Sequence, residues 1–157
     1  MTESQHQLNI SQDVYFEIAA SDIKVVKNGD TWQVEGRPRE EVTVLNVFHP
    51  SNLPGKQIVV VKIRLGPNAA SPPHTHSGAS IVAVVTEGTL LNQMNNNDPL
   101  ISSPGEIFYE APGCHHVRCE NNTQEGGAFV AVLIIDDEVV EKGYENIFVL
   151  DAEKEGR

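Results

Sequence analysis

The sequence predicts an all-β protein that closes into a sandwich or a small barrel. Short apolar runs rich in Val and Ile recur along its 157 residues, separated by clusters of Gly, Pro, Asn and Asp. Residues of these types set or tolerate the backbone dihedrals of turns. Hardly any segment carries the apolar stripe of about ten or more residues that indicates a helix. Strands joined by such turns protect their edges by closing into a sandwich or barrel.

The predicted strands follow the apolar runs in chain order. Turn segments such as NGD, HPSNLPG and NNTQEGG separate them, and no stretch has the composition of a linker between domains. The chain is therefore expected to form a single domain. The strands are predicted at residues 31–35, 42–48, 57–65, 80–86, 89–94, 106–111, 116–120 and 128–135.

The two ends depart from this pattern. Residues 16–26 are compatible with a short helix, and the tail DAEKEGR, residues 151–157, is predicted to fray. The first residues are less regular than the rest. We therefore predict an N-terminal extension or added edge strands over residues 1–40 and the barrel over residues 41–150.

Charge and hydropathy exclude several classes of partner. Asp and Glu number 22 against 11 Lys and Arg, for a formal net charge of -11. Such a surface does not suit phosphate neutralisation, so neither nucleic acid nor a membrane is an expected partner. The first twenty residues lack the basic and apolar regions of a signal peptide, which predicts a cytoplasmic location. Cys114 and Cys119 would lie about 16 Å apart on an extended segment, too far for a disulfide.

Two histidines lie one residue apart in PPHTHSGAS, residues 72–80. In a strand, side chains at positions i and i+2 point to the same face, about 6.5–7 Å apart along the chain. His74 and His76 can therefore share one cation. A pair of loop histidines without a metal is the simpler alternative.

A further histidine pair opens a strand downstream, in SPGEIFYEAPGCHHVRCEN. His115 and His116 follow a Pro-Gly turn about forty residues after the first pair. In an antiparallel barrel such a separation can bring two strands side by side around one interior point. The four histidines thus predict a metal site formed by two distant segments.

These two segments resemble the paired signature motifs of the cupin superfamily. The run GPNAASPPHTHSGASIVAVVTEG is similar to the first motif, in which H-x-H is followed by an acidic residue and a strand that closes on glycine. The run GEIFYEAPGCHHVRCEN is similar to the second, in which a histidine follows a proline-glycine turn. The resemblance implies a double-stranded β-helix, or jelly-roll barrel, with His74, His76 and His116 as metal ligands.

The sequence departs from the two motifs at two positions. Ser80 stands where the first motif usually carries Glu, so we expect no protein carboxylate at the site. The asparagine of the second motif arrives one residue late, at Asn121, which leaves both His115 and His116 open as the third ligand, although the glycine-to-histidine spacing favours His116.

Three neutral imidazoles suit Fe, Ni, Zn, Mn or Cu and would leave a divalent ion its full charge. An anionic small-molecule ligand, such as a carboxylate, enolate or thiolate, would compensate that charge. Similar cupins include iron dioxygenases, so the resemblance implies a metal-dependent dioxygenase acting on a small organic anion. A non-catalytic binding or sensing cupin, and a metal-dependent isomerase or lyase, are the alternatives.

Three further residues are candidates for catalysis or substrate binding. Tyr109 and Glu110 precede the second turn, and strand alternation predicts Arg118 on the same side as His116, where it could bind a substrate carboxylate through two nitrogens. Packing in the core for Tyr109 and solvation at the surface for the two charged residues are the simpler interpretations. The long apolar strands IVVVKIRL and AFVAVLII also predict a homodimer.

Overall fold

Two antiparallel sheets form the barrel and a separate two-stranded sheet precedes them in the computed structural model, which describes residues 23–155. Short helical segments follow the last long strand: α1 (Asp137–Val140), the 3-10 helix η1 (Tyr144–Ile147) and α2 (Asp151–Glu155). The strands are β1 (Val25–Asn28), β2 (Thr31–Val34), β3 (Glu41–Phe48), β4 (Lys56–Leu65), β5 (Ala70–Ser71), β6 (His74–Thr75), β7 (Ser80–Glu87), β8 (Leu90–Met94), β9 (Leu100–Ser102), β10 (Ile107–Glu110), β11 (His116–Glu120), β12 (Gly127–Asp136) and β13 (Val149–Leu150).

The strand order shows the jelly-roll topology. The first sheet runs β10-β7-β12-β4-β3, and the second runs β13-β6-β11-β8-β9, with β5 also paired to β11. Neighbours in each sheet are mostly distant in the chain, so the connections cross between the two sheets. Because β6 and β7 belong to different sheets, the segment between them, which contains His76, passes from one sheet to the other.

Alternation along the long strands places the core between the sheets. Strand β4 buries every second residue, and β12, its neighbour, does the same over most of its length. Burying a side chain of this kind contributes about 1.5–3 kcal/mol relative to leaving it exposed. The core they form includes Val59, Val61, Ile63, Leu65, Phe129, Ala131, Leu133 and Ile135.

All eight predicted strands are confirmed, with ends that differ by at most one residue. The structure adds β1, β5, β6, β9 and β13, which have two to four residues each and are too short to show an alternating pattern. Within residues 23–155, no helix is long and apolar enough to cross a membrane.

The N-terminal segment differs from its prediction where the structure describes it. Residues 16–22 of the predicted helix lie outside the described residues. Residues 25 and 26 belong to strand β1, which pairs with β2 through a turn at Gly29, whose φ of 64° suits glycine. The backbone N–H of Ala70 then donates to the carbonyl of Pro38, which ties this segment to β5 at 2.9 Å.

The C-terminal segment also differs from the predicted frayed tail. Residues 151–155 form α2, whose first residue is held at both its backbone and its side chain. The N–H of Asp151 donates to the carbonyl of Pro73 at 3.0 Å, and the Asp151 carboxylate lies 2.7 Å from Nε2 of His115. These two contacts hold the first turn of α2 against the barrel.

Candidate metal centre

Three histidines meet inside the barrel. His74 on β6 and His116 on β11 are directly paired residues, and His76 follows β6 in the turn towards β7. One ring nitrogen from each lies within 4.8 Å of the other two. All three side chains are buried. The structure therefore brings together the three histidines that the resemblance implied as ligands.

His115, the alternative to His116, lies outside this cluster. Its side chain is 40% exposed, and its Nε2 bonds Oδ2 of Asp151 at 2.7 Å. Because β11 begins at His116, the two adjacent histidines point in different directions. The structure thus selects His116 as the third member of the cluster.

In His74 and His116, the ring nitrogen that points away from the cluster is hydrogen-bonded. This bond leaves the other ring nitrogen facing the cluster. Nδ1 of His74 donates to the carbonyl of Pro72 at 2.7 Å, and Nε2 of His116 donates to Oδ1 of Asn92 at 2.7 Å. Since each acceptor is a carbonyl-type oxygen, the other nitrogen of each neutral ring carries a lone pair. Such outer partners orient metal-ligating imidazoles. Asn92 was not predicted, because nothing in its own strand marks it as a site residue.

The cluster itself consists of three histidines, as predicted, and Glu110, one of the predicted site residues, lies beside it. Oε1 of Glu110 lies 3.3 Å from Nδ1 of His76 and 3.3 Å from Nδ1 of His116, and the Glu110 side chain is only 3% exposed. Strand β10 pairs with β7, where Glu110 lies opposite Ile81, the neighbour of Ser80. An acidic side chain thus lies beside the cluster, although it comes from the adjacent strand and not from the first motif.

Burial determines the protonation states of this cluster in the absence of a cation. It lowers the pKa of His76 to about 2, with a further contribution from nearby His74, and it also lowers the pKa of His74 and His116. Burial raises the pKa of Glu110 to about 8. The imidazoles are thus neutral, which is the form that binds metals.

Two atoms of the cluster lack the partners that buried polar atoms normally have. Oε1 of Glu110 and Nδ1 of His116 are buried and make no hydrogen bond in the described structure. Two ligand atoms at about 2.1 Å from one ion are about 3.0 Å apart at a right angle and about 3.4 Å apart at the tetrahedral angle. The observed 3.3 Å separations from Glu110 fit adjacent ligands of a single ion. The residues present therefore suit a divalent metal.

Tyr109 does not belong to this site. Alternation along β10 turns Phe108 and Glu110 inward and Ile107 and Tyr109 outward, and Tyr109 is 58% exposed. Its phenol lies on the outer face of the first sheet, so the prediction that Tyr109 acts at the site is wrong. Since Glu110 faces inward, the adjacent Tyr109 must face outward.

Arg118 is buried but lies on the other side of β11. The pairing of β11 with β8 shifts register between His116 and Arg118, which is a bulge that reverses the expected alternation. Arg118 bonds Glu120 and lines a separate cavity beneath the β1–β2 hairpin, together with Arg37. The prediction that Arg118 faces the substrate is therefore wrong, and Cys119 faces the barrel interior instead.

The cluster opens into a small, largely apolar space, the metal cavity. Its volume is about 40 Å³. Since one water needs about 10–15 Å³, the cavity admits about three water-sized groups. Apolar side chains, most of them from the first sheet, form most of its wall. Its polar lining residues are Arg39, Glu40, Ser71, His74, His76, Glu110, His116 and Cys119.

Comparison with known proteins agrees with this architecture. The chain is 29% identical over 110 residues to the putative germin-like protein 2-2 of Oryza sativa subsp. japonica, which covers 66% of this chain and 48% of that protein. The chain thus spans about half the length of the curated relatives it matches. Among solved structures, a conserved double-stranded β-helix protein of Klebsiella pneumoniae superposes with a TM-score of 0.53 at 18% identity, over 76% of this chain and 90% of that one.

An oxalate oxidase in complex with glycolate superposes with a TM-score of 0.51 at 18% identity, over 71% of this chain and 54% of that one. At this identity the likeness concerns the fold. The two sheets and the cluster between them define a jelly-roll barrel with a candidate metal centre. The Cupin family model matches residues 37–146, well over half of the sequence, and the chain belongs to the cupin family.

Proposed function

We propose that this cupin binds one divalent metal ion through His74, His76, His116 and Glu110 and takes a small organic anion into the metal cavity. The observation that carries the proposal is the pair of buried, unpartnered atoms, Oε1 of Glu110 and Nδ1 of His116, 3.3 Å apart. Leaving such atoms without partners costs about 1–3 kcal/mol for each group. A shared cation satisfies both.

The carboxylate changes the expected charge of the site. With three neutral imidazoles and an ionised Glu110, a divalent ion keeps a net charge of +1 instead of +2. A monoanionic chelating group, such as a carboxylate or an enolate, would complete the neutralisation. The apolar wall of the metal cavity strengthens this attraction because it contains few groups that screen charge.

The chemistry expected is metal-assisted conversion of such an anion. When bound, the metal would supply Lewis-acid activation, or the binding of dioxygen if it is iron. The chain's own part is to orient the imidazoles through Pro72 and Asn92, to exclude bulk water by its apolar wall, and to restrict the part of the ligand inside the metal cavity to a few heavy atoms. Oxidation by dioxygen is the most specific version of the proposal, and the superposition on an oxalate oxidase supports it at the level of the fold.

A non-catalytic binding cupin is the second candidate. One observation favours it: Tyr109 and Arg118, two residues predicted to act on the substrate, both point away from the metal cavity. An isomerase or lyase would need a base beside the substrate. Apart from Glu110, the only carboxylate lining the metal cavity in the described structure is Glu40, which is paired with Arg39.

Elemental analysis of purified protein tests the metal site, with His76→Ala as the site variant and His115→Ala as the matched surface control. We expect about one divalent ion per chain in the parent and in His115→Ala, and loss of that ion in His76→Ala. Equal metal content in all three proteins would contradict the site.

Oxygen uptake by the metal-loaded protein, measured with a panel of small carboxylic and thiol acids, then separates the enzyme from the binding module. Consumption of dioxygen that depends on both the substrate and the metal supports the oxidase or dioxygenase. Binding of an acid without consumption of dioxygen and without conversion of the acid supports the non-catalytic binding cupin.

A further inference from the structure

Residues from the segment before β3, from β3 itself and from the C-terminal part of the chain form the entrance to the metal cavity. Outside it lies a larger hollow of about 420 Å³, the vestibule, lined by Trp32 and Tyr144 among others. Five residues line both spaces and therefore form the mouth between them: Arg39, Glu40, Val42, Phe148 and Leu150. A ligand that reaches the metal cavity from the vestibule passes these five side chains.

Arg39 and Glu40 form a two-pronged ion pair at this mouth. Nε of Arg39 donates to Oε2 of Glu40 at 2.9 Å, and Nη2 donates to Oε1 at 2.8 Å. The third nitrogen, Nη1, donates to the carbonyl of Trp32 at 2.6 Å. The side chains are 31% and 11% exposed, respectively. The guanidinium is thus held in place, and Glu40 occupies the fork that a substrate carboxylate would use.

Arg39 is distinctive by its charge. Among the described residues that line the metal cavity, it is the only lysine or arginine. The pair and the three histidines of the cluster line the same cavity. A ligand bound at the cluster can therefore extend towards Arg39.

We propose, on the basis of the function proposed above, that Arg39 selects substrates with a second carboxylate remote from the metal, and that Glu40 competes with that carboxylate for the guanidinium. A planar guanidinium binds carboxylates through two parallel hydrogen bonds, which gives direction as well as charge. The ligand class is a short dicarboxylate, with one carboxylate at the cluster and the other at the mouth. Arg39 then takes the role that the sequence suggested for Arg118.

The test uses paired acids of equal carbon number as probes: malonate, succinate and glutarate against propionate, butyrate and valerate. Dissociation constants are measured by calorimetry on metal-loaded protein whose metal content has been determined. Trp32, the single tryptophan of the chain, lines the vestibule and provides a second, fluorescent readout. The variants are Arg39→Gln and Glu40→Gln.

A matched control comes from the surface pair Arg64 and Glu87. Nη1 of Arg64 donates to Oε2 of Glu87 at 3.0 Å, with side chains 46% and 49% exposed, and neither residue lines the mouth. Arg64→Gln and Glu87→Gln remove the same charges as the two test variants. Both controls are expected to bind the diacids as the parent does.

We expect Arg39→Gln to weaken binding of the best diacid about tenfold or more, which is the loss expected for hydrogen bonds to a charged group, and to leave the matching monoacid within about twofold. Glu40→Gln should strengthen diacid binding because it removes the competitor. These opposite effects distinguish selection from a structural role, since both changes break the same ion pair.

Equal weakening by both variants, or no diacid preference in the metal-loaded parent, would overturn the role of Arg39. Absence of metal from the parent, or its retention in His76→Ala, would instead overturn the proposed function. The two failures are therefore separable.

Discussion

Two buried polar clusters lie on opposite sides of strand β11, and they differ in how their atoms are paired. On the outer side, Glu120 accepts hydrogen bonds from Arg37 at 2.7 Å and from Arg118 through both carboxylate oxygens. On the inner side, Oε1 of Glu110 and Nδ1 of His116 are close together without a hydrogen bond. Both clusters are buried, so burial alone does not distinguish a structural ion pair from a binding site.

The hydrogen-bond partners of the buried carboxylate distinguish a structural ion pair from a binding site. Two guanidinium groups already neutralise Glu120, and Arg37 also donates to Oδ1 of Asn122 at 2.6 Å, which ties the segment before the barrel to the loop after β11. In the described part of the chain, the basic side chains beside the Glu110 carboxylate, each 3.3 Å from it, are those of His76 and His116, whose lowered pKa keeps them neutral. The outer cluster is therefore expected to stabilise the fold, and the inner cluster to bind an ion.

The largest expected effect concerns the outer cluster. Replacing Glu120 with Ala leaves buried Arg118 and half-buried Arg37 without their shared carboxylate, and removing one partner of a buried ion pair costs about 3–5 kcal/mol. We expect a loss of that size in the free energy of unfolding, measured by urea titration of metal-free protein. Glu87→Ala, at an exposed pair, should cost about 1 kcal/mol or less. If Glu120→Ala and Glu87→Ala lower the free energy of unfolding equally, the buried ion pair is no more stabilising than the exposed one.

Glu110→Gln should have the opposite effect on stability. Burial raises the pKa of Glu110 to about 8 in the folded, metal-free protein, from an ordinary value of 4.5. The unfolded chain then releases this proton at a lower pH, so the parent loses stability as pH rises from 4.5 towards 8. The metal-free variant should therefore be more stable than the parent at pH 7, on the order of 1–3 kcal/mol, and the gap should close near pH 4.5.

The same variant should bind metal more weakly, by at least the 10–100-fold that loss of an outer partner costs. Urea titrations at several pH values and metal titration by calorimetry measure the two effects. If the variant is less stable than the parent at every pH and its metal affinity is unchanged, Glu110 is a structural residue like Glu120.

Asn92→Ala tests the orientation of one ligand. Without Oδ1 of Asn92, Nε2 of His116 loses its acceptor at 2.7 Å, and the ring is no longer held with its lone pair towards the cluster. We expect metal affinity to fall about 10–100-fold with the bound metal still present at saturation. Unchanged affinity in a metal titration would show that packing alone orients the ring.

The smallest effect is expected on the outer face of the first sheet. Tyr109, Val82 and Val132 lie side by side on neighbouring strands and are 58%, 47% and 39% exposed. This apolar row supports the predicted homodimer. Val82→Glu should then shift the protein from dimer to monomer in light scattering at micromolar concentration, without changing its metal content. A parent that is already monomeric would contradict the prediction.

The sequence predicted the long strands and the His74–His76 pair because both depend on local patterns, whereas His116 as the third ligand was implied by the resemblance to the second cupin motif. Period-two alternation marks a strand whatever it pairs with, and His74 and His76 share a face by spacing alone. The inward position of Glu110 beside His76 depends on the pairing of β10 with β7, which no local pattern contains. Arg118 was misplaced because one bulge reverses the alternation of β11.

The residues of the mouth were missed for a related reason. Arg39 and Glu40 precede the barrel and resemble ordinary surface charges in sequence. Their position depends on the path of the chain between β2 and β3, where the carbonyl of Trp32 holds Arg39. In the sequence, the neighbouring charges of Arg39 and Glu40 do not indicate that the two side chains face a cavity.

Anomalous scattering from crystals grown with a divalent metal, recorded at that element's absorption edge, locates the ion. We expect one peak inside the barrel, about 2.0–2.2 Å from one nitrogen each of His74, His76 and His116 and from an oxygen of Glu110. A barrel interior without a peak, or a peak only beside His115 and Asp151, would contradict the proposed metal site.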